Sequence, residues 1–475
     1  MNNANSLVIK GGWVLDPANG TDGVRDVIVR HGKVAGVESH SESLPTATVL
    51  DASGKYVMPG HIDLHAHVSS AWDGPNRAVG HSMLAASGTT TILDLAGEPG
   101  RMAEGMKRSG AGLNVANLLG LIPHVTIKED DPRPEVARAT IAGALERGAI
   151  GIKLLGGYYP FTPEATSNVI AAANDLGAWA AFHVGSKDTG SHIDGLREVP
   201  AILGQGKLHV AHINSYCRGL IMTPAEECME AIRVIEGIRH QVVTESYLAQ
   251  INGSSGRCDE DGNVVYNAIQ NCLLVRGYPA TDVGLRQSMI DEYCSVLITD
   301  DDRNYLVTGK EAIKYWELGN TDVTVSFTVN PPSSSFTLAT AKLSDKTFAV
   351  NTISTDGGAL PRNVAIERTF ALVTFGALTP LEAAYKLSYA PSRAVGLLAK
   401  GHLGEGADAD FTIVDKATGL ATMSLVAGKV IMKDGMAIGE GGKWLVTEEG
   451  EETAKGSGLP YEVIDLATSA LYAGW

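Results

Sequence analysis

The sequence predicts an α/β protein: a (β/α)8 barrel of the TIM type with a small β-sandwich domain formed by both chain ends. Three observations support this fold class. Short β-rich runs alternate with Ala-rich helical stretches through the middle of the chain, which is the pattern of parallel strands joined by crossover helices. Both ends hold β-rich runs separated by turns, and 475 residues are enough for a barrel with insertions.

Composition and charge indicate a compact protein that acts on small molecules. Hydrophobic residues make up 44% of the chain, and 54 residues are glycine. A formal charge of -16 argues against nonspecific binding to nucleic acid or acidic lipid. We find neither a signal-peptide pattern nor an apolar run near the roughly twenty residues of a membrane helix, so we expect a cytoplasmic protein. The five cysteines lack Cys-x-x-Cys spacing, and we expect reduced thiols.

The terminal β-rich runs define the two halves of the predicted sandwich. The first half has strand signals at 7–9, 13–15, 26–29 and 33–37, broken by Pro17, Gly20 and Gly32. The second half has them at 410–414 and 423–432. We therefore assign residues 1–57 and 399–475 to one β-domain. The tail from Gly441 to Gly456, which contains the acidic run 448–452, is polar, and we expect it to be exposed.

The central region, residues 58–398, is assigned to the barrel. One strand ends at His67, and seven more are predicted at 91–95, 115–121, 151–154, 179–184, 208–213, 242–246 and 350–355. The stretch 247–349 is too long for a simple crossover, so we expect an insertion of helices and long loops that could cover the barrel mouth. Its acidic triplet, 300–302, is interpreted as a solvated turn.

His65 and His67 are the most informative residues of the chain. They are separated by one residue, so on a strand their side chains point to the same side and can bind one metal ion. They follow the Pro59-Gly60 turn, where a barrel strand would reach its C-terminal mouth. A lone His-x-His motif is common by chance, so further ligands are required at the ends of later strands.

Four later strands supply such residues. Lys153 lies within an apolar strand, His183 and His212 end two others, and Asp356 ends the last. Each has an ordinary alternative: a hydrogen-bonded core histidine, a lysine paired with a carboxylate, or an aspartate that caps a turn. Their joint occurrence favours one metal centre. His209 is three residues before His212, an odd offset that predicts packing on the opposite face, against the helices.

Lys153 is the least ordinary of these residues, because burial of an ammonium group is costly and lowers its pKa toward the free amine. A free amine can capture CO2. The resulting carbamate has two oxygens and could bridge two cations, which would offset its own desolvation.

These motifs resemble the amidohydrolase superfamily, specifically its binuclear members related to hydantoinases, dihydropyrimidinases and dihydroorotases. The resemblance extends over nearly the whole chain, from Ile9-Lys10-Gly11-Gly12 through the 57–67 strand and the lysine strand to the closing phrase 401–411. It implies two divalent ions, Zn2+ or alternatively Mn2+, and a CO2-derived carbamate on Lys153. It also implies a homo-oligomer, either a dimer or a tetramer, with a small-molecule substrate.

The resemblance also implies roles for individual residues. His65 and His67 would bind the more buried metal, His183 and His212 the more exposed one, and carbamylated Lys153 would bridge them. Asp356 would be both metal ligand and general base. Tyr158 would stabilise the oxyanion, although it could be a rim aromatic and Tyr159 could replace it. Asn214 and Ser215 would lie near the substrate, whereas Glu245 could contact substrate or form a salt bridge.

The expected reaction is metal-dependent hydrolysis of a nonpeptide C-N bond, with ring opening of a cyclic amide, ureide or imide by a metal-bridged hydroxide. An N-acyl amino acid or dipeptide deacylase is the nearest alternative. The metal-bridging cysteine of the N-acyl-D-amino-acid deacylase branch has no counterpart on an early strand, since every cysteine follows residue 216. The glycine-rich segment 154–160 also departs from hydantoinases. A deaminase and a noncatalytic hydantoinase-like scaffold are further alternatives.

Overall fold

The N-terminal strands form one edge region of a mixed sheet. The computed structural model describes residues 6–41, 47–69, 79–300 and 303–475. Its first strands are β1 (Ser6–Asp16), β2 (Thr21–Arg30), β3 (Lys33–Glu38), β4 (Thr48–Asp51) and β5 (Lys55–Pro59). The two runs predicted before Pro17 form the single strand β1, in which a register shift between Ile9 and Gly12 accommodates the left-handed Gly11.

Seven parallel strands and six helices follow in alternation. The strands are β6 (His61–His67), β7 (Thr89–Gly97), β8 (Leu113–Gly120), β9 (Gly151–Leu155), β10 (Trp179–His183), β11 (Leu208–Val210) and β12 (Val242–Tyr247). The helices are α1 (Val79–Ala86), α2 (Pro99–Ser109), α3 (Pro134–Glu146), α4 (Pro163–Asp175), α5 (Ile193–Leu203) and α6 (Pro224–Ile238). Consecutive strands are hydrogen-bonded neighbours, as in a barrel.

The insertion contains a small sheet as well as helices. Its elements are β13 (Ser254–Ser255), α7 (Asn267–Leu274), α8 (Asp282–Ile290), β14 (Cys294–Asp300), β15 (Arg303–Val307), α9 (Gly309–Leu318), β16 (Thr324–Phe327) and α10 (Pro332–Thr340). The antiparallel sheet has the order β13-β16-β14-β15, and its buried Phe327 belongs to one apolar cluster with Trp316 of α9. The sequence prediction of helices and long loops missed this sheet. Within the acidic triplet, Asp300 ends β14, and Asp301 and Asp302 lie outside the described residues.

The last barrel strand closes the barrel in two pieces, β17 (Thr352–Ser354) and β18 (Gly357–Gly358). β17 pairs in parallel with β12, and β18 pairs in parallel with β6. The two pieces together bridge the first and seventh strands, which confirms the predicted (β/α)8 barrel. Helices α11 (Ala365–Thr374), α12 (Pro380–Ala384) and α13 (Ala390–Val395) follow.

The C-terminal strands return to the N-terminal sheet. β19 (Phe411–Asp415), β20 (Ala421–Val426), β21 (Lys429–Lys433) and β22 (Met436–Ala437) extend it in the order β22-β21-β20-β19-β5-β1-β2-β3. Both chain ends thus share one sheet, as the sequence predicted. The chain ends with β23 (Gly442–Val446), α14 (Glu451–Ser457), β24 (Tyr461–Val463) and α15 (Ala470–Ala473).

The prediction of an exposed polar segment at 441–456 is wrong for its first part. Trp444, Leu445 and Val446 are buried, and β23 lies parallel to the first half of β8. β9 pairs with β8 only from Leu118 onward, which leaves the edge of the first half of β8 free. β23 of the tail occupies this edge. Burial of three apolar side chains outweighs the polarity of the flanking glutamates.

Two further sequence expectations concern membranes and thiols. In the described ranges, we find no helix with the length and apolar character needed to span a bilayer. All five cysteines lie in described parts of the chain, and each is a free thiol. No disulfide joins any two of them.

Candidate metal centre

A cavity of about 450 Å³ opens at the C-terminal end of the barrel strands, where barrel enzymes bind substrates. Side chains from several barrel strands meet there with residues of the insertion, including Asn252, Ser254 and Thr324. The sequence proposed nine residues as ligands, catalytic groups or substrate contacts. Eight of them line the cavity: His65, His67, Lys153, Tyr158, His183, His212, Ser215 and Asp356.

His65, His67 and Asp356 form the tightest group of possible metal ligands. Their nearest donor atoms lie within 4.8 Å of one another. The Oδ1 atom of Asp356 is 3.3 Å from Nε2 of His65 and 3.1 Å from Nε2 of His67. β6 places both imidazoles on one side of the strand, and β18 pairs beside it, which brings the last strand to the same point.

His183 and His212 lie next to this group. The ring centroids of His65 and His212 are 5.0 Å apart, and those of His183 and His212 are 4.4 Å apart. His212 and Asp356 both have left-handed backbone conformations, with φ of 35° and 47°. Left-handed conformations are uncommon outside glycine, although Asp and His adopt them more readily than most residues, and they cluster at functional sites, where the surrounding structure fixes them.

Lys153 is fully buried in β9, and its Nζ atom has no hydrogen-bond partner among the described residues. Burial lowers the Lys153 pKa to about 8, although Glu245 and Asp356 oppose this shift. An unpaired buried amine beside four imidazoles and a carboxylate is expensive as a purely structural group. The donor set and this orphaned atom therefore fit a metal centre.

The imidazoles of His65, His183 and His212 are held in the neutral form that binds metals. Burial, with the charge of Lys153 as the next cause, lowers the His183 pKa to about 3 and keeps the pKa of His65 far below its ordinary value. Burial alone would raise the pKa of Asp356, but Arg362 and the imidazoles of His65 and His67 outweigh it and keep the carboxyl ionised.

Glu245 holds the imidazole of His65 and the backbone of His212. Its Oε1 atom is 2.6 Å from Nδ1 of His65 and accepts a 2.5 Å hydrogen bond from the backbone N–H of His212. Its Oε2 atom accepts a short hydrogen bond from Ser354. Of the two roles that the sequence left open, the structure favours the buried polar contact. Carboxylates that hold a metal-binding histidine are common and tune its affinity.

The two predicted substrate-contact residues occupy different positions. Ser215 lines the cavity, and its hydroxyl donates to the Tyr247 hydroxyl at 3.2 Å. Asn214 is fully buried outside the cavity wall, and its Oδ1 atom accepts hydrogen bonds from Ser246 and the Tyr247 backbone. In this structure Asn214 therefore positions β12 and makes no contact with the cavity.

Tyr158 and Tyr159 both line the cavity, but their hydroxyl groups differ in partners. The Tyr158 ring packs edge-on against His183 with centroids 5.2 Å apart, and its hydroxyl donates to the Gly253 carbonyl at 3.1 Å. The Tyr159 hydroxyl contacts that of Tyr266 at 3.1 Å. Burial raises the Tyr158 pKa to about 12, so this phenol stays protonated.

The glycine-rich segment after β9 is required by close packing. A side chain at Gly157 would overlap Nε2 of His183, and one at Gly156 would overlap the Gly185 carbonyl. The departure from the hydantoinase pattern noted in the sequence thus lets this loop approach a candidate metal ligand.

Sequence reasoning missed two arginines and misplaced one histidine. Arg362 forms a 2.8 Å ion pair with Asp356, and Arg218 lies in the same cavity wall. His209 pairs in register with Ala181 and lies 3.9 Å from Glu245, so it faces the barrel interior and not the helices. The prediction that His209 and His212 face opposite sides of one strand was wrong, because β11 ends at Val210 and His212 has a left-handed conformation.

Comparison with known families gives a partial match. A model of the amidohydrolase family matches residues 295–445. A dihydroorotase from Anaeromyxobacter dehalogenans is 53% identical over 62 residues, which is 13% of this chain and 14% of that protein. A dihydroorotase from Pelotomaculum thermopropionicum is 25% identical across 90% of this chain and 99% of its own length.

Solved structures share the whole fold at low identity. Dihydropyrimidinase from Brevibacillus agri has a TM-score of 0.61 and 15% identity, covering 97% of this chain and 99% of its own. N-acyl-D-glutamate deacylase from Bordetella bronchiseptica, solved with zinc and a phosphonate inhibitor, has a TM-score of 0.64 and 15% identity, covering 93% and 99%.

Proposed function

We propose that this chain, an amidohydrolase by its family match, fold and relatives, hydrolyses a nonpeptide carbon–nitrogen bond in a cyclic amide, ureide or imide. One observation carries the proposal: six side chains from distant strands meet at one cavity, and the amine among them is buried without a partner. The names of the dihydropyrimidinase and dihydroorotase relatives favour a ring as substrate.

The six side chains would hold two divalent ions, which we propose to be Zn2+ or alternatively Mn2+. His65 and His67 would bind one ion, and His183 and His212 the other. When bound, the ions would polarise the substrate carbonyl and lower the pKa of a water molecule toward neutral pH. Neutral imidazoles and oxygen anions are suitable ligands for zinc.

Lys153 would bridge the two ions as a carbamate. Its free amine would attack the carbon of CO2, form a new N–C bond and release one proton to solvent. The product, a carbamate, carries one negative charge shared by two oxygens, in place of an unpaired amine. The lowered pKa of Lys153, about 8, supports this role because it makes the free amine accessible near neutral pH.

Asp356 would transfer the proton that amide hydrolysis requires. It would accept a proton from the attacking water and return it to the departing nitrogen. Its ion pair with Arg362 fixes one carboxylate oxygen, whereas the other faces His65 and His67. Tyr158 would donate a hydrogen bond to the oxyanion as charge develops there.

An N-acyl amino acid or dipeptide deacylase is the second candidate. The cavity volume of about 450 Å³ lies within the range of pockets that enclose drug-sized ligands, so a linear amide is also accommodated. The N-acyl-D-glutamate deacylase relative in fold supports this alternative.

A substrate panel tests the proposal. Zinc- and manganese-loaded protein would be assayed with hydantoins, dihydropyrimidines, cyclic imides, lactams and N-acyl amino acids, and we expect ring opening to give the highest kcat/KM. Asp356→Asn tests the proposed proton transfer. The variant should lose far more activity than bound metal, because proton transfer is the main role proposed for Asp356. Turnover of N-acyl amino acids alone would favour the second candidate, and no turnover of any amide would refute both.

A further inference from the structure

Arg218 is a partly buried cation in the cavity wall that the proposed hydrolysis does not use. It follows the short turn Ile213–Tyr216 after His212 and lines the same cavity as the candidate metal ligands. One of its Nη atoms lies 3.4 Å from the Tyr247 hydroxyl, and the ring centroids of Tyr247 and His212 are 6.4 Å apart. The guanidinium group therefore lies close enough to the centre to contact a substrate held there.

The partners of Arg218 are all uncharged. Its Nε donates to Asn330 Oδ1 at 2.8 Å, and one Nη donates to the hydroxyls of Ser215 and Tyr247 at 3.3 and 3.4 Å. The other Nη has only a 3.9 Å contact with the sulfur of Cys272. Guanidinium has five N–H donors, so these contacts leave part of its hydrogen-bonding capacity unused.

Arg218 also lacks a counter-ion within the protein. Among the described residues, no carboxylate oxygen lies within 4.0 Å of its nitrogens, although ion pairs are found for many other arginines. Glu227, close in sequence, accepts hydrogen bonds from the backbone of residues 219, 221 and 222. Arg362 in the same cavity is instead paired with Asp356.

A partly buried guanidinium without a counter-ion keeps an uncompensated positive charge, because arginine cannot become neutral by losing its proton. A negatively charged ligand in the cavity would compensate this charge. A planar carboxylate suits the fork of N–H donors best, because it can accept two parallel hydrogen bonds.

We propose that Arg218 binds a carboxylate group of the substrate, so that the substrate is an acid-bearing amide and not a neutral one. This inference rests on the proposed function and deepens it by naming the substrate class. Asn330, which holds Nε of Arg218 and also donates to the Tyr247 hydroxyl at 2.8 Å, would be a positioning residue.

Wild-type protein provides the first test. Metal-loaded enzyme would be titrated calorimetrically with a cyclic ureide that carries a ring carboxylate and with the same ring carrying a carboxamide. The N-acetyl amino acid and its amide form a second matched pair. In the pair whose compounds fit the site, we expect the acid to bind roughly 30- to 100-fold more tightly than its amide. This is the range of a charge-assisted hydrogen-bonded pair. Equal affinity for acid and amide in both pairs would overturn the inference.

Variants then separate Arg218 from the metal ions, which could also attract an anion. Arg218→Met should abolish the preference for the acid and leave the affinity for the carboxamide unchanged. Arg218→Lys should keep part of the preference, since it retains the charge but loses the fork. The control is Arg197→Met, an exposed arginine held by Asp194 and Glu230, which should behave as wild type.

The outcomes distinguish this inference from the proposed function. If Arg218→Met and Arg218→Lys keep the full wild-type preference, the anion binds elsewhere and the inference is wrong. If Arg218→Met does not fold, Arg218→Lys and the wild-type measurement decide alone. If acids bind selectively but no amide is hydrolysed, the proposed function fails while Arg218 keeps its role in binding.

Discussion

Lys153 differs from the other buried lysines in what surrounds its amine. Lys400 is equally enclosed but is paired with Asp408 and Asp410 at 2.6 and 2.7 Å, and Lys386 donates to the Val350 carbonyl at 2.8 Å. Only the amine of Lys153 has no partner among the described residues. Because an unsatisfied buried amine costs stability, its presence at the cavity is best explained by a reacting partner.

We predict that Lys153→Ala loses bound metal and nearly all activity. Removal of the proposed bridge would leave two cations to repel each other, and a short carboxylic acid added with metal should restore part of the metal content and of the activity by occupying the vacated space. Metal content by elemental analysis and activity would be measured together. Exposed Lys310→Ala is the control, and unchanged metal in Lys153→Ala would contradict the assignment.

The candidate ligands could be singled out from sequence because each lies within or directly after a recognisable strand. Glu245 could not be assigned, because its partner His65 is 180 positions away and only barrel closure brings them together. Arg218 and Arg362 lie in loops whose paths the sequence pattern does not determine. Asn214 was expected in the cavity on the basis of its neighbours, but its side chain turns to β12.

The loop after β9 shows how one element positions another. Gly157 lets the loop contact the His183 ring, and no larger residue fits without displacing that ring. The small sheet of the insertion forms the opposite wall, with Ser254 and Thr324 in the cavity lining. That sheet could not be predicted, because β13 has two residues and β16 only four, too short for a reliable alternation pattern.

We predict that Gly157→Ala weakens metal binding by at least about tenfold, as do other changes that misorient a metal-binding histidine. The dissociation constant would be measured by competition with a chelating dye. The control is Gly237→Ala, at an exposed position of helix α6 where no atom lies near the added carbon. This variant should bind metal normally and be slightly more stable. Equal affinity in the Gly157 variant would show that His183 does not bind metal.

The whole barrel is organised around neutral buried histidines, which makes its stability sensitive to acid. Burial lowers the pKa of His61 and His183 to about 3 and of His209 to about 4. Because unfolded histidines bind protons from about pH 6.5 downward, these residues stabilise the fold above that pH and lose this contribution as pH falls. Asp63, whose pKa burial raises to about 7, acts in the opposite direction and offsets one of them.

We predict that metal-free protein loses a few kcal/mol of unfolding free energy between pH 6.5 and 4.5, since each shifted histidine loses roughly 2 to 3 kcal/mol over that interval. Urea denaturation at the two pH values would measure it. Exposed His240→Gln should show the same difference as wild type. Higher stability at pH 4.5 would mean that the buried carboxyls outweigh the histidines.

The global architecture was the most predictable level, because eight strand–helix units and two β-rich ends leave few alternatives to a barrel with an added sheet. The tail was the exception. Its acidic residues suggested exposure, but β23 fills the edge of β8 that β9 leaves free, and Leu445 packs in the barrel core with Ile62 and Trp179. The sequence pattern does not show which part of a strand edge is left unpaired, because that depends on how the neighbouring strands align in the folded sheet.

The most direct test of the proposed centre is the metal content of purified, active protein. Elemental analysis should find about two divalent transition-metal ions per chain, and removal with a chelator should abolish amide hydrolysis until zinc or manganese is restored. Full activity in protein without a bound transition metal would contradict the account.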